Sequence, residues 1–299
     1  MTLATAQSGG HAQGDVLANF ENITGSEFAD TLNGDAGNNT IEGNDGDDTI
    51  NGGAGDDVIS GGLGDDDIDG GTGSDRVDYS LATGAVNVDL IAGTATGADG
   101  TDTLNFIENI IGSNQSDSLT GDSQANEISG NGGDDTIDGR DGDDIIEGGA
   151  GADTLNGGEG DDTLDGGAGN DIALFTGTRL GYSVSEAGGV VTVIDTTTAG
   201  LDEGTDSLTN IEFIQFSDGI FAVASLLANN VINGTSGNDG ALQGTSGADI
   251  INGLNGADTI NGLNGDDTIL AGDGDDVVNG SLGDDALNGG DGNLSLIHI

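Results

Sequence analysis

The sequence predicts an all-β chain, a parallel β-solenoid of stacked short coils, and three observations carry that prediction. First, the chain repeats every nine residues. Residues 130–165 read GNGGDDTID GRDGDDIIE GGAGADTLN GGEGDDTLD, with Gly at the first and fourth places, Asp at the sixth and an aliphatic residue at the eighth. A unit this short cannot bury its own aliphatic side chain, whereas stacked copies cover one another. Second, the composition is extreme: 299 residues hold 60 Gly, no Pro, no Cys and 3% aromatics. A collagen helix is excluded, because Gly does not fall at every third position and Pro is absent. Third, across nineteen units the eighth place is aliphatic in all, and the sixth is Asp in seventeen. The unbroken aliphatic column decides for a packed solenoid over an acidic disordered chain.

Within a unit, the first six places carry turn chemistry, with Gly at places one and four allowing tight reversal and exposed carbonyls. The last three, such as Thr136-Ile137-Asp138, read as a very short strand whose middle residue faces opposite to its neighbours. Stacked strands lie about 4.8 Å apart, so equivalent Asp side chains stand roughly 5 Å from one another. Two unit charges at that distance repel by about 3 kcal/mol at an effective dielectric near ~20. A column of such carboxylates splays the stack unless a cation sits between them. Carboxylates and turn carbonyls form an all-oxygen donor set that suits calcium better than magnesium, which demands a tight octahedron and keeps its waters.

The units GGAGDDVIS (52–60) and GGEGDDTLD (157–165) resemble the G-G-x-G-x-D-x-U-x nonapeptide of the RTX (repeats-in-toxin), haemolysin-type calcium-binding proteins, where U is a large apolar residue. The resemblance implies a parallel β-roll in which two successive units make one coil. Calcium would lie in the turns between stacked coils, held by the sixth-place Asp and turn carbonyls. Carried over residue by residue, the candidate metal ligands are Asp30, Asp48, Asp57, Asp66 and Asp75 in the first array. In the second they are Asp117, Asp135, Asp144, Asp153, Asp162 and Asp171, and in the third Asp239, Asp249, Asp258, Asp267, Asp276 and Asp285. Asn39 and Asn126 occupy the two remaining sixth places. With only a neutral carbonyl oxygen to offer, they are expected to bind calcium weakly or not at all. The resemblance also implies a secreted bacterial protein exported by a one-step type I machinery through a C-terminal signal.

In order along the chain, residues 1–24 form a polar tail and a first cap, 15–23 (DVLANFENI). That motif returns as 102–110 (DTLNFIENI) and 206–214 (DSLTNIEFI). Each copy is read as a cover over an exposed solenoid end, with a metal site on Glu21, Glu108 and Glu212 as the alternative. The first roll spans 25–78. Residues 79–111 form an insert: 85–91 alternates as a half-buried strand, 92–100 reads as a Gly- and Thr-rich loop, and the second cap follows. The second roll spans 112–174. The largest insert, 175–233, holds a hairpin of 182–185 and 190–194 with Gly188-Gly189 near its turn, the third cap, and five of the nine aromatics. Of those, Phe213, Phe216 and Phe221 are read as core packing rather than a ligand groove. The third roll spans 234–293, with one extra residue near Gln243. The tail 294–299 (LSLIHI) reads as non-native, like a translated sequencing adapter, and implies truncation with loss of the export signal.

Formal net charge is −52, with acids outnumbering bases 55 to 3. Nucleic acid and anionic membrane are therefore poor partners. Absence of Cys excludes a disulfide framework. The first twenty residues show no basic n-region and no apolar h-region of a Sec signal peptide, and no run approaches the ~18 apolar residues of a transmembrane helix. With two His and no Cys, neither a nucleophilic triad nor a zinc site can be assembled. Carboxylate pairs recur in every unit, whereas an active site occurs once, so the chain is expected to be no enzyme in itself. The fifth-place acids Asp47, Asp56, Asp65, Asp143, Asp161, Asp266 and Asp284 are read as solvated groups that attract calcium. The function expected is calcium binding with calcium-driven folding of a secreted structural roll. The alternative is a fragment of a larger secreted enzyme, adhesin or toxin whose active domain lies elsewhere.

Overall fold

The computed structural model describes residues 21–196, 203–227, 231–245, 247–292 and 294–297. It divides into two compact units, Met1–Phe175 with Ala199–Ile211, and Thr176–Thr198 with Glu212–Ile299. The architecture is the predicted one, an all-β parallel solenoid.

In the first unit a coil takes eighteen residues, two sequence units. Thr136–Asp141 pairs in parallel with Thr154–Glu159, placing Ile137 opposite Leu155, and Ile145–Gly151 pairs with Thr163–Gly169, placing Ile146 opposite Leu164. Alternate sequence units therefore build two different sheets. Burial alternates along each strand: in Thr49–Ala54, Ile50 and Gly52 are buried, whereas Thr49 and Asn51 are exposed. The sixth, eighth and following first places thus share the inward face, as a period of two requires. The eighth-place column forms the core, with Ile41, Ile50, Ile59, Ile68, Ile137, Ile146, Leu155 and Leu164 each no more than 1% exposed.

The strand ladders run through 79–111 without a break. Asn109–Ile111 pairs in parallel with both Arg76–Asp78 and Glu127–Ser129. On the other sheet, Asp67–Thr72 pairs with Thr101–Asn105, and Val86–Asp89 with Ser118–Thr120. Between these lies Thr94–Gly97, antiparallel to both of its neighbours. The stretch read as a loop therefore contains a strand, which buries Ala95. Its small Thr and Ala side chains hid the alternation.

The segment read as the second cap is instead a coil inside the stack. Leu104 lies opposite Ile68, and Ile110 has Val77 on one side and Ile128 on the other. A cover over an end has a neighbour on one side only. The third copy likewise adds a rung, with Leu208 opposite Leu164. Of the first copy, 15–20 lie outside the described residues, and Asn22–Thr24 pairs with Thr40–Asp45. The second and third copies lack the turn glycines, so the nine-residue template passes over them although they supply the inward Asp102, Leu104, Asp206 and Leu208.

In the second unit, Tyr182–Ala187 and Val190–Asp195 form the expected antiparallel hairpin. Gly188 and Gly189, at φ +66° and +90°, make its two-residue turn. Phe216 is buried, with its ring centroid 5.1 Å from Tyr182 and 5.9 Å from Phe221, so this insert packs around an aromatic core. Phe213 and Phe221 are half-buried. The third array forms two sheets of its own, Val231–Asn233, Ile250–Asn252, Thr268–Leu270 and Ala286–Asn288, and Leu242–Gln243, Thr259–Asn261, Asp276–Asn279 and Leu294–Ile297. The extra residue is absorbed between Asn233 and Leu242, where the pairing offset falls from 19 (Asn233 with Asn252) to 18 (Leu242 with Ile260). Of the tail, Leu294–Ile297 pairs with Asp276–Asn279; 298–299 lie outside the described residues.

Leu155 is fully buried in the eighth-place column. Leu155→Ala is predicted to destabilise the calcium-loaded protein by about 2–5 kcal/mol through transfer and cavity costs. Denaturant unfolding in excess calcium reads this out, and an unchanged midpoint would show that the column is not the core.

Candidate metal centre

Fifteen of the seventeen sixth-place Asp are buried, and Asp239 and Asp285 are half-buried. Each lies at a corner of its coil, next to the core column, because the pleat turns places six and eight to the same side. Stacking brings the carboxylates into files, and each file is joined by a hydrogen-bond ladder. The N–H of Asp48 donates to Asp66 Oδ1 at 2.8 Å. Asp57 donates to Asp75 Oδ1 at 2.8 Å, Asp135 to Asp153 Oδ1 at 2.8 Å, and Asp144 to Asp162 Oδ1 at 2.8 Å. In the third array Asp249 donates to Asp267 Oδ1 at 2.8 Å. Every donor thus reaches one coil forward in sequence.

The second oxygen behaves differently. Oδ2 of Asp48, Asp57, Asp66, Asp75, Asp135, Asp144, Asp153, Asp162, Asp258, Asp267 and Asp276 is buried with no hydrogen-bond partner. A Cβ on first-place Gly130 would overlap both Asp135 Oδ2 and the carbonyl oxygen of Gly148, one coil on. Gly139, with Asp144 Oδ2 and the Gly157 carbonyl, and Gly262, with Asp267 Oδ2 and the Gly280 carbonyl, repeat the arrangement. First-place Gly leaves room at these turns, whereas Ala271 holds the same place ahead of Asp276. Positive φ falls instead at places two and four, as at Gly149 (+106°) and Gly151 (+149°). In each such turn an orphaned carboxylate oxygen and a backbone carbonyl oxygen approach the same cradle, and both donors fit a hard cation. Among the described residues no three acidic or imidazole side chains converge on one point, so an ion here would draw the rest of its oxygens from backbone and water.

Burial pushes the carboxyls of Asp48, Asp75 and Asp153 up. It dominates at Asp66, Asp135, Asp144 and Asp267, each raised to about 7, with neighbouring carboxylates adding to the shift. Asp57 and Asp162 are raised to about 6 for the same reasons.

Four candidates differ. Asp30, Asp117, Asp239 and Asp249 accept at Oδ2 from the second-place N–H of their own unit, Ser26 (2.6 Å), Ser113 (2.5 Å), Thr235 (2.7 Å) and Thr245 (2.6 Å). The sixth-place Asn follow suit, with Asp35 donating to Asn39 Oδ1 at 2.9 Å and Asp122 to Asn126 Oδ1 at 2.8 Å. Asp171 and Asp285 share the positive second-place φ of the open turns, at Gly167 (+85°) and Ser281 (+73°).

The nonapeptide template misses three acids that complete the files. Asp102 Oδ1 accepts from Asp66 at 3.0 Å while Tyr79 donates its hydroxyl to Oδ2 at 2.8 Å. Glu108 Oε2 accepts from Asp75 at 2.8 Å. Asp206 Oδ1 accepts from Asp162 at 2.9 Å; burial, with Asp162 and Glu203 nearby, raises its carboxyl to about 8. The recurring D-x-L of the supposed caps was the available signal, since it copies places six and eight. The fifth-place acids are exposed but form a second, outer ladder: Asp65 donates to Asp47 Oδ1 at 3.0 Å, Asp161 to Asp143 Oδ1 at 3.0 Å and Asp284 to Asp266 Oδ1 at 2.8 Å.

The chain matches the family model for the RTX calcium-binding nonapeptide repeat at residues 24–59, 42–77, 111–146, 138–173, 241–269 and 261–293, together more than half its length. Among solved structures it is similar to the extracellular lipase LipA from Serratia marcescens, at 16% identity over 73% of this chain and a TM-score of 0.18. It spans 34% of that lipase. No curated protein matches it.

Because Asp66, Asp135 and Asp144 are raised to about 7 in the folded stack from an ordinary carboxylate value of about 4, protonation stabilises the calcium-free stack. That contribution is fully present below about pH 4 and lost as pH rises through about 7. Calcium-free protein is predicted to gain β-signal in far-UV circular dichroism between about pH 8 and pH 5. Over the same window the calcium midpoint should rise, as protons compete for the same oxygens. A calcium-free spectrum that loses β-signal on acidification would contradict a buried carboxylate file.

Proposed function

Because this chain belongs to the RTX calcium-binding nonapeptide repeat family, we propose that it is a structural module of a secreted bacterial protein whose β-rolls assemble on calcium. The supporting observation is the set of eleven orphaned carboxylate oxygens buried along the files. An unsatisfied buried polar atom costs about 1–3 kcal/mol, more when charged. Eleven of them cost on the order of 10–30 kcal/mol, against a whole-domain stability of about 5–15 kcal/mol. The metal-free roll is therefore not the stable state near neutral pH.

In this reading the open-turn Asp are the metal ligands. Their Oδ1 atoms fix the carboxylate plane through the backbone ladder, first-place Gly clears the cradle, and the adjacent carbonyl supplies a neutral oxygen. Calcium, when bound, supplies the positive charge that cancels the carboxylate file. Site formation and folding are then one equilibrium. Without calcium the acidic chain stays loose and suited to type I export; in millimolar external calcium it closes. The arrays 25–78, 112–174 and 234–293 are the calcium-responsive segments, and the role of the module is mechanical support rather than catalysis.

Far-UV circular dichroism during a calcium titration, with magnesium as control, tests this. A cooperative gain of β-signal with calcium alone is expected, and a spectrum that stays disordered at about ten millimolar calcium would sink the proposal. Asp144→Ala should raise the calcium midpoint at least several-fold and lower amide protection in strands Thr136–Asp141 through Thr163–Gly169. Unaltered protection there would remove Asp144 from the ligand set.

A further inference from the structure

The family pattern treats all sixth-place Asp as equivalent, but the backbone sorts them into two kinds. Ahead of each orphaned carboxylate the second-place residue has positive φ, and its N–H is turned away. Gly supplies this at Gly53 (+106°), but Asn131 (+67°), Arg140 (+89°), Leu254 (+75°) and Leu263 (+76°) adopt it too. A left-handed Leu is costly, roughly 1–2 kcal/mol, so that recurrent conformation marks a demand of the site. Where the second place is Ser26, Ser113, Thr235 or Thr245, the N–H closes on Oδ2 instead. At Ser26 and Ser113 the hydroxyl adds a second donor to the same carboxylate at 2.8 Å. Ser281 shows that the backbone, not the hydroxyl, is the switch. At φ +73° its side chain turns away to Asn261 Oδ1, 2.9 Å distant.

The closed turns are not scattered. They are the first two units of each array: Asp30 with Asn39, Asp117 with Asn126, and Asp239 with Asp249. We infer that the second place of each unit is a calcium selector, and that every array opens with one self-clamped coil whose side chains need no metal, followed by coils that do. This rests on the calcium reading above and removes Asp30, Asp117, Asp239 and Asp249 from the ligand set. The clamped coil would serve as a preformed edge on which the metal-dependent coils add.

The third array holds a natural pair for the test. Residues 244–252 read GTSGADIIN and 253–261 read GLNGADTIN, differing at the second place as Thr245 against Leu254 and otherwise only at the third and seventh places. Thr, β-branched, disfavours left-handed φ. In the full chain, Leu254→Thr is expected to lower the number of bound calcium ions by one, and Thr245→Leu to raise it by one. Equilibrium dialysis with elemental analysis gives the count. If Leu254→Thr fails to fold, Thr245→Leu alone decides. Should both folded variants bind the wild-type number while wild type binds calcium, the selector falls and the calcium reading stands. Should wild type bind none, both fall.

Discussion

Like charges stacked at strand spacing are the constraint on which the rest of this structure depends. A solenoid gains its core only by exact superposition of coils, and that superposition forces equivalent carboxylates into files. The chain answers in two halves. One oxygen of each Asp is absorbed by the backbone N–H of the preceding coil, as Asp48 does toward Asp66. The other either accepts from its own turn, as at Asp117, or is left buried without a partner, as at Asp135. The apolar column and the acidic file are thus inseparable, because the pleat puts Ile137 and Asp135 on the same side of the strand.

Much of this was legible in the sequence. The nine-residue period with its eighth-place aliphatics indicated the solenoid, and pairing of two units per coil followed from the resemblance. The sixth-place Asp stand in inward corners of the coils. What escaped was whatever the template could not register. The segment 102–110 lacks turn glycines and was read as a cover, yet Asp102 and Leu104 hold places six and eight of a coil. First-place Gly was credited with backbone freedom, but at Gly130 it is the approach of two oxygens that forbids a side chain. Left-handed Leu254 and Arg140 carry no sequence signal at all, because neither residue type announces positive φ. The closing of Asp30 by Ser26 is a short-range hydrogen bond, four residues apart, and was open to recognition as a Ser-containing turn.

The two inserts show how the stack tolerates interruption. Val86–Asp89, Thr94–Gly97 and Thr101–Asn105 continue one sheet, with Thr94–Gly97 antiparallel between the other two. Tyr79 lends its hydroxyl to Asp102, so the irregular coil satisfies its carboxylate with a side chain where regular coils leave Oδ2 without a hydrogen-bond partner. In the other unit, aromatic packing around Phe216 supplies cohesion of the ordinary kind, independent of ions.

The ladder also has a direction. Each sixth-place N–H points to the carboxylate one coil later and never to the one before. The exposed fifth-place ladder runs the other way, from Asp65 to Asp47 and from Asp161 to Asp143, so the leading face carries inner acceptors beside outer donors and the trailing face the reverse. With inner places over inner and outer over outer, donors meet acceptors when such stacks are superposed head to tail, the geometry of open filaments rather than closed pairs. The Ser26 clamp leaves this polarity intact, because it closes Asp30 Oδ2 whereas the ladder runs through Oδ1.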